Sequence, residues 1–270
     1  MRTRYRGFTL VELIMVIVIL GVVGGMVAVF MRGPIDAYFA SARRAGLTDI
    51  ADTTVRRMAR DIHAALPNSV RTPASQCVEF IPTKTGGRYR ETGAGALDFS
   101  ASTTSFRELG SNAARPSDQQ IAAGDIVVVY NLGIAGSDAY ANDNTAVVSA
   151  APTETGTPLE TTIGIAATRF PLPSGSNRFH VVPAAAPVVG YVCTGGQLLR
   201  YTKALPYALP GSCPTSGTST AVLANHVSAC NFDYSGSDLE RNALVRMSLQ
   251  LTDSGETVSL QHEVHVNNTP

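Results

Sequence analysis

The chain has 270 residues, of which 44% are hydrophobic and 16% are charged, and this composition excludes a wholly disordered protein. Its 21 basic and 21 acidic residues cancel, so the sequence predicts no broad basic surface and no nucleic-acid partner. The charges are unevenly placed, because Arg2, Arg4 and Arg6 all lie within the first six residues.

An apolar segment near the N-terminus is long enough to span a membrane. Residues 13–31 contain no charge, and residues 8–12 extend the segment to 24 residues in which Glu12 is the only charged one. A helix of 24 residues is about 36 Å long, which exceeds the hydrocarbon thickness of a bilayer. The three preceding arginines place the N-terminus in the cytoplasm and the rest of the chain outside it.

A cleaved secretory signal is the alternative interpretation of this segment. Such a signal has an apolar region of about 7–15 residues, followed by small residues at a cleavage site. Residues 40–42 are small, but the apolar segment is too long and Arg32, Pro34 and Asp36 intervene. We therefore expect the segment to be retained as an anchor.

The carboxylate of Glu12 is the unusual feature of the anchor. A charge at the centre of a membrane helix costs about 2.5–3.5 kcal/mol and is usually partnered or functional. From the residues alone, Glu12 either reaches the lipid headgroups or meets a positive partner. Arg6 and Gly7 precede Phe8, and Glu12 is the fifth residue counted from Phe8. This segment resembles the class III signal of type IV pilins and of type II secretion pseudopilins.

The resemblance implies that a prepilin peptidase cleaves after Gly7 and methylates the new amine of Phe8. It also implies that Glu12 pairs with the Phe8 amine of a neighbouring subunit, because opposite charges attract strongly in a low dielectric. The implied fold is α+β, with a long N-terminal helix packed on an antiparallel β-sheet domain. The implied partners are the peptidase, other major and minor pilins, the inner-membrane assembly platform and the membrane.

Two glycines, Gly21 and Gly25, form a G-x-x-x-G spacing within the apolar segment. Small residues at this spacing allow membrane helices to approach closely. The alternative is that they only loosen a long helix. The sequence leaves both interpretations open.

Residues 32–66 continue the helix as an amphipathic segment. The apolar stripe of this segment is expected to lie on a sheet, with arginines and aspartates on the other faces. Pro34 is expected to kink the helix, and Pro67 to stop it. The predicted stripe consists of Leu47, Ile50, Val55, Met58, Ile62 and Leu66.

From residue 70 the hydrophobic period changes to two, which predicts β-strands. The clearest pair is a hairpin of residues 245–251 and 258–266 about a turn at 253–256, with one face on a core. In this alternation His262 falls on the apolar side and His265 on the polar side, which favours one packed and one surface histidine over a metal site. Further strands are predicted at residues 78–81, 97–99, 126–130, 188–192, 198–201 and 231–234.

Residues 133–158 are rich in small and polar residues and predict a long surface loop. Oxygen-bearing side chains cluster at residues 137–144, and calcium prefers such ligands. Their spacing does not match a twelve-residue calcium loop and lacks its terminal glutamate. A solvated loop is therefore the favoured interpretation.

The four cysteines are Cys77, Cys193, Cys213 and Cys230, all on the outward side of the anchor. An even count in an oxidising compartment predicts two disulfides. The absence of a C-x-x-C spacing argues against a zinc or redox site. Of three connectivities, we favour Cys193–Cys213, which closes a proline-rich segment, and therefore Cys77–Cys230.

No catalytic motif is present, and no cofactor or metal is expected. Residues 56–71, 86–90, 223–230 and 258–266 resemble the large minor pilins of type IV pili. The resemblance implies an inner-membrane protein with a periplasmic C-terminal domain, and a pseudopilin, a tip adhesin or a DNA-uptake pilin are the alternatives. The predicted divisions are a leader (1–7), a transmembrane half-helix (8–31), its amphipathic continuation (32–66) and a β-rich domain (67–270).

Overall fold

A computed structural model describes residues 7–234 and 242–270, so the arginine-rich tip of the leader lies outside the described residues. One helix, α1 (Leu10–His63), has 54 residues and a length of about 81 Å. It runs through Pro34 and ends three residues before the predicted boundary, with Ala64 as its C-cap. The anchor and the amphipathic segment are therefore a single continuous helix.

The second half of α1 carries the buried stripe. One predicted member is wrong, because Ile50 is 41% exposed at the flank of the stripe. Another, Leu66, is buried but lies beyond the end of the helix. The small side chain of Ala51 takes the central position and lets the helix approach the sheet closely. The buried residues of the helix are Leu47, Ala51, Thr54, Val55, Met58 and Ile62.

Fifteen strands lie within the described residues. They are β1 (Arg71–Ala74), β2 (Cys77–Phe80), β3 (Thr85–Arg88), β4 (Thr103–Glu108), β5 (Ile126–Val129), β6 (Thr145–Val147), β7 (Thr153–Thr155), β8 (Glu160–Thr168), β9 (Arg178–Val182), β10 (Val188–Thr194), β11 (Gln197–Lys203), β12 (Ser219–Asn225), β13 (Val227–Asp233), β14 (Asn242–Asp253) and β15 (Glu256–Asn267). All the pairings between them are antiparallel.

Two sheets pack against one face of the second half of α1. The first has the strand order β1-β2-β10-β11-β12, and the second has the order β13-β14-β15. Their inner faces and the helix stripe form one hydrophobic core, in which Met58 and Ile62 lie with residues of β10 and β14. This arrangement confirms the predicted α+β class, with a long helix packed on antiparallel sheets.

A second lobe is inserted between β2 and β10, which are neighbours in the first sheet. It contains the sheets β3-β9-β5-β6 and β4-β8-β7. The lobe has its own core, which includes Phe106, Phe170 and Phe179. A smaller cluster that includes Leu66, Ile81, Val128, Val182 and Val188 joins the lobe to the rest of the domain.

The predicted strands have mixed outcomes. The terminal hairpin is confirmed, with β14 and β15 paired in register from Asn242–Asn267 to Asp253–Glu256, and the strands at 78–81, 126–130, 188–192 and 198–201 are confirmed within a residue or two. The segment at 97–99 is irregular, because Asp98 instead accepts hydrogen bonds from Ser100 in a local turn. The predicted packed position of His262 is wrong, since its side chain is exposed.

The predicted loop at 133–158 is wrong in part, because it contains β6, β7 and a short 3₁₀-helix (Ala139–Ala141). The oxygen-rich cluster within it is only partly solvated, because Asn142 is exposed whereas Ser137 is buried. Asn144 is fully buried, and Asp138 and Asp143 accept hydrogen bonds from the amides of Tyr140 and Gly136. These carboxylates therefore stabilise the backbone of the loop.

The predicted disulfide pairing is wrong. Cys77 bonds Cys213 and Cys193 bonds Cys230, with Cα–Cα distances of 5.6 and 6.4 Å. The reason is the register of β2 and β10, in which Cys77 lies opposite Val192. Adjacent residues of a strand point to opposite faces, so Cys193 lies on the helix side while Cys77 and Cys213 lie on the far side. The predicted bond between Cys193 and Cys213 would have to cross the sheet.

Non-reduced peptide mapping tests this pairing. We expect one linked peptide pair that contains Cys77 and Cys213, and a second that contains Cys193 and Cys230. A linked pair of Cys193 with Cys213 would contradict the strand register, since that register places the two side chains on opposite faces.

The helix stripe is tested by a matched pair of substitutions. Met58→Ala removes a side chain that is 1% exposed, and we expect the free energy of unfolding to fall by about 2–5 kcal/mol. Ile50→Ala, on the same helix, should cost about 0.5 kcal/mol or less because the side chain is largely exposed. Denaturant unfolding of the full chain in detergent measures both, and equal costs would contradict the assigned face.

Candidate functional site at the N-terminal helix

The first half of α1 contacts no other described part of the chain. Every residue from 7 to 39 is exposed, including Phe8 at 85% and Phe30 at 78%. The helix is long and apolar enough to cross a membrane, and none of its most apolar part is buried. A continuous apolar surface of this size marks a membrane or protein interaction site.

Thr9 and Glu12 form a reciprocal cap at the start of the helix. The Glu12 carboxylate accepts hydrogen bonds from the Thr9 amide (2.9 Å) and hydroxyl (3.0 Å). In return, the Glu12 amide donates to the Thr9 hydroxyl (3.3 Å). This capping box satisfies amides that would otherwise lack a partner, and it holds a negative charge where the helix dipole favours one. The cap is not among the predicted features, although the T-x-x-E spacing of Thr9 and Glu12 is its sequence signal.

The predicted processing site lies just outside this cap. Gly7, Phe8 and Thr9 precede the helix in non-helical conformation, and Gly7 is exposed. The Gly7–Phe8 peptide bond is therefore accessible. The structure brings Phe8 and Glu12 to the same end of the helix, and the hydrogen bonds described for the Glu12 carboxylate all come from Thr9.

Gly21 and Gly25 lie in the exposed half of α1. A Cβ atom built at either position would meet nothing within 4 Å. The described fold therefore makes no use of their small size. Their proposed role in helix packing stays a prediction about contacts with other chains.

The second half of α1 is fixed to the sheets by polar contacts as well as by its stripe. Arg44 forms an ion pair with Glu256 at the start of β15. Near the other end, Asp61 accepts a hydrogen bond from Tyr191 and lies 3.4 Å from Arg200. Burial raises the pKa of the Tyr191 hydroxyl, so this group stays protonated and donates. These contacts fix the helix to the sheets at both ends of its second half.

Residues 2–28 match a family model described as a prokaryotic N-terminal methylation motif. This match supports a type IV pilin-like protein. The long apolar helix on antiparallel sheets is consistent with a type IV pilin fold, and together with the motif it fits a membrane-anchored pilin. The motif implies processing by a prepilin peptidase in the context of pilus assembly, and it suggests a structural protein rather than an enzyme. Comparison with curated proteins and with solved structures finds no match.

Among residues 7–234 and 242–270, no group of three or more His, Cys, Asp or Glu side chains is placed to hold a metal ion. His262 and His265 are both exposed on β15. The N-terminal helix is therefore the candidate site to which the motif and the exposed apolar surface both point.

Proposed function

We propose that this chain is a minor type IV pilin that takes part in the initiation, assembly or capping of a pilus. The observation that carries the proposal is the exposed apolar half of α1, attached to a folded α+β domain. Such a helix has two favourable environments, the bilayer before assembly and the core of a helical filament after it. Cleavage after Gly7 leaves Phe8 as the new N-terminus of the anchored chain.

The pairing of Glu12 with the Phe8 amine of a neighbouring subunit supplies the assembly chemistry. Each charge alone is costly in an apolar environment, and the pair is favourable only when the two charges meet. In the described chain the Glu12 carboxylate is held by Thr9 at the N-terminal end of the helix. A neighbouring amine therefore meets a carboxylate that is already positioned. Gly21 and Gly25 are proposed to let helices pack closely in the filament.

Two features support a minor rather than a major subunit. The segments named above resemble the large minor pilins, and in particular MshO, a biogenesis protein of the mannose-sensitive haemagglutinin pilus. The inserted lobe of residues 81–187 also enlarges the domain beyond the sheets that pack against the helix. Its proposed partners are the prepilin peptidase, other pilins and the inner-membrane assembly platform.

A minor pseudopilin of a type II secretion system is the second candidate, because it has the same motif and helix. The genes that flank this one would distinguish the two machines. A DNA-uptake role is less favoured, since the chain beyond the leader has 18 basic residues against 21 acidic ones. Several of these basic side chains are already in ion pairs, including Arg71 with Glu79 (3.0 Å) and Lys84 with Asp125 (2.8 Å).

Substitution of Glu12 tests the proposal. With Glu12→Ala or Glu12→Gln as the only copy, we expect the chain to be processed and inserted normally, because loss of a charge favours insertion. The amount of surface pili should fall by about tenfold or more, the loss of a contact worth about 1.4 kcal/mol or more. Immunoblots of membrane and sheared-pilus fractions measure both quantities.

Asp36→Asn is the matched control, since Asp36 is an exposed acid on the same helix beyond the apolar segment. This variant should assemble at the level of the unmodified chain. Normal piliation with both Glu12 variants would show that the proposed charge pair is dispensable.

A further inference from the structure

The strand β15 forms the outer edge of the three-stranded sheet, and its odd-numbered residues point their main-chain groups away from β14. Two observations establish this parity. The amide of Thr252 in β14 donates to the carbonyl of His226 (2.8 Å), on the side opposite to β15. The carbonyl of His265 in β15 accepts from Nδ1 of His63 (3.1 Å) instead of from β14. Since antiparallel strands alternate their hydrogen-bonding direction, residues 257, 259, 261 and 263 also point outward.

This stretch of edge has no partner in the described chain. No hydrogen bond from the described residues reaches the main-chain groups of Thr257, Ser259, Gln261 or Glu263. The pairing with β14 is regular over twelve residues without a bulge, and the strand contains no proline or lysine. Natural proteins usually protect a long regular edge with a bulge, a proline, charged side chains or a covering element, and between residues 257 and 263 the only acidic or basic side chain besides His262 is Glu263.

The opposite edge of the same sheet is covered. In β13, the amide of Phe232 donates to the carbonyl of Ser75 (2.7 Å), and the amide of Val227 donates to the carbonyl of Gly196 (2.9 Å). Among the described residues, one edge of the sheet is thus covered, and the outward main-chain groups of residues 257–263 on the other edge have no partner.

The open edge runs alongside the anchor helix. Arg44 meets Glu256 near the membrane side, and His63 meets His265 at the far side. Between these contacts the helix rises about 28 Å and the strand about 30 Å, so the two run in the same direction. The apolar segment ends at residue 31. Along the helix axis, the edge begins about 20 Å beyond that residue and ends about 48 Å beyond it.

A groove beside the edge adds side-chain selectivity. It has a volume of about 430 Å³ and lies between the last turns of α1 and β15, where its lining includes Ala59, Arg60, His63, His262, Glu263 and Val264. The carboxylate of Glu263 is paired with Arg246 (3.0 Å). Most of this lining is apolar carbon. Arg60 is exposed at the rim and has no ion-pair partner among the described residues. An apolar side chain fits the groove, and a carboxylate fits beside Arg60.

We propose that the edge of β15 at residues 257–263 binds an extended segment of a partner polypeptide, which joins the sheet as a fourth strand. The unpaired amides and carbonyls select an extended backbone, as in other cases of strand addition. The groove selects an apolar side chain, and Arg60 selects an acidic one near it. The inference goes beyond the proposed function, because it does not depend on which assembly the anchored chain serves.

Amide hydrogen exchange at single-residue resolution tests this inference on the full chain. We compare membranes from producing cells with the chain purified in detergent micelles, where the partner is removed. The amides of residues 257, 259, 261 and 263 should exchange at least tenfold more slowly in membranes. The amides of residues 258, 260 and 262 should not change, because they already pair with β14.

Two proline variants, Gln261→Pro and Ser259→Pro, remove an outward amide while they keep the pairing with β14, and proline is tolerated at such edge positions. Each should abolish the protection in membranes, while Gln261→Ala should retain it. Thermal unfolding in micelles verifies that each variant is folded. Equal exchange of the odd-numbered amides in membranes and micelles, or protection that persists in a folded proline variant, would overturn the inference.

Discussion

Exposure of the apolar half of α1 to water is unfavourable, and this free-energy cost determines the environment in which the chain is stable. Each large apolar side chain contributes about 1.5–3 kcal/mol when it leaves water, and more than a dozen of them are exposed between residues 8 and 39. The summed free energy of removing these side chains from water exceeds 5–15 kcal/mol, the typical free energy of unfolding of a domain. It also exceeds the cost of about 2.5–3.5 kcal/mol for carrying Glu12 into a bilayer. The helix therefore enters an apolar environment together with its carboxylate, and that carboxylate then favours a positive partner.

The second half of the same helix organises the domain. Its stripe packs against two sheets, and its polar contacts with β15 and β10 fix it at both ends. The anchor and the domain share this one continuous helix. The open edge of β15, which is proposed to bind a partner polypeptide, runs beside this helix. The capping box of Thr9 and Glu12 lies at the other end of the same helix.

Features set by local periodicity were predictable from the sequence. The terminal hairpin follows from strict alternation about a turn in which Ser254 and Gly255 have positive φ. Features that depend on the register between strands far apart in the sequence were not predictable. The disulfide pairing follows from the alignment of Cys77 with Val192, residues more than a hundred positions apart. The inserted lobe was missed because several of its strands have only three or four residues, too few for a period to show. The buried stripe contains Ala51 and not the adjacent Ile50. Hydrophobicity alone favours isoleucine and therefore did not identify the buried residue of the two.

The candidate site was predictable to a greater extent, because a short contiguous motif carries most of it. Gly7, Phe8 and Glu12 lie together at the start of the helix, as their spacing requires. The hydrogen bonds from Thr9 add the local reason why the carboxylate is held there. Whether Glu12 meets a neighbouring amine depends on contacts between chains, which are outside the reach of one sequence or one fold.

The identity of the mature N-terminus tests the central claim most directly. Mass spectrometry of the chain isolated from cells that contain a prepilin peptidase should find a mature protein that begins at an N-methylated Phe8 and retains residues 8–31. A chain that begins near Arg43 would show that the apolar segment is a cleaved secretory signal. A chain that keeps residues 1–7 in such cells would contradict the proposed processing.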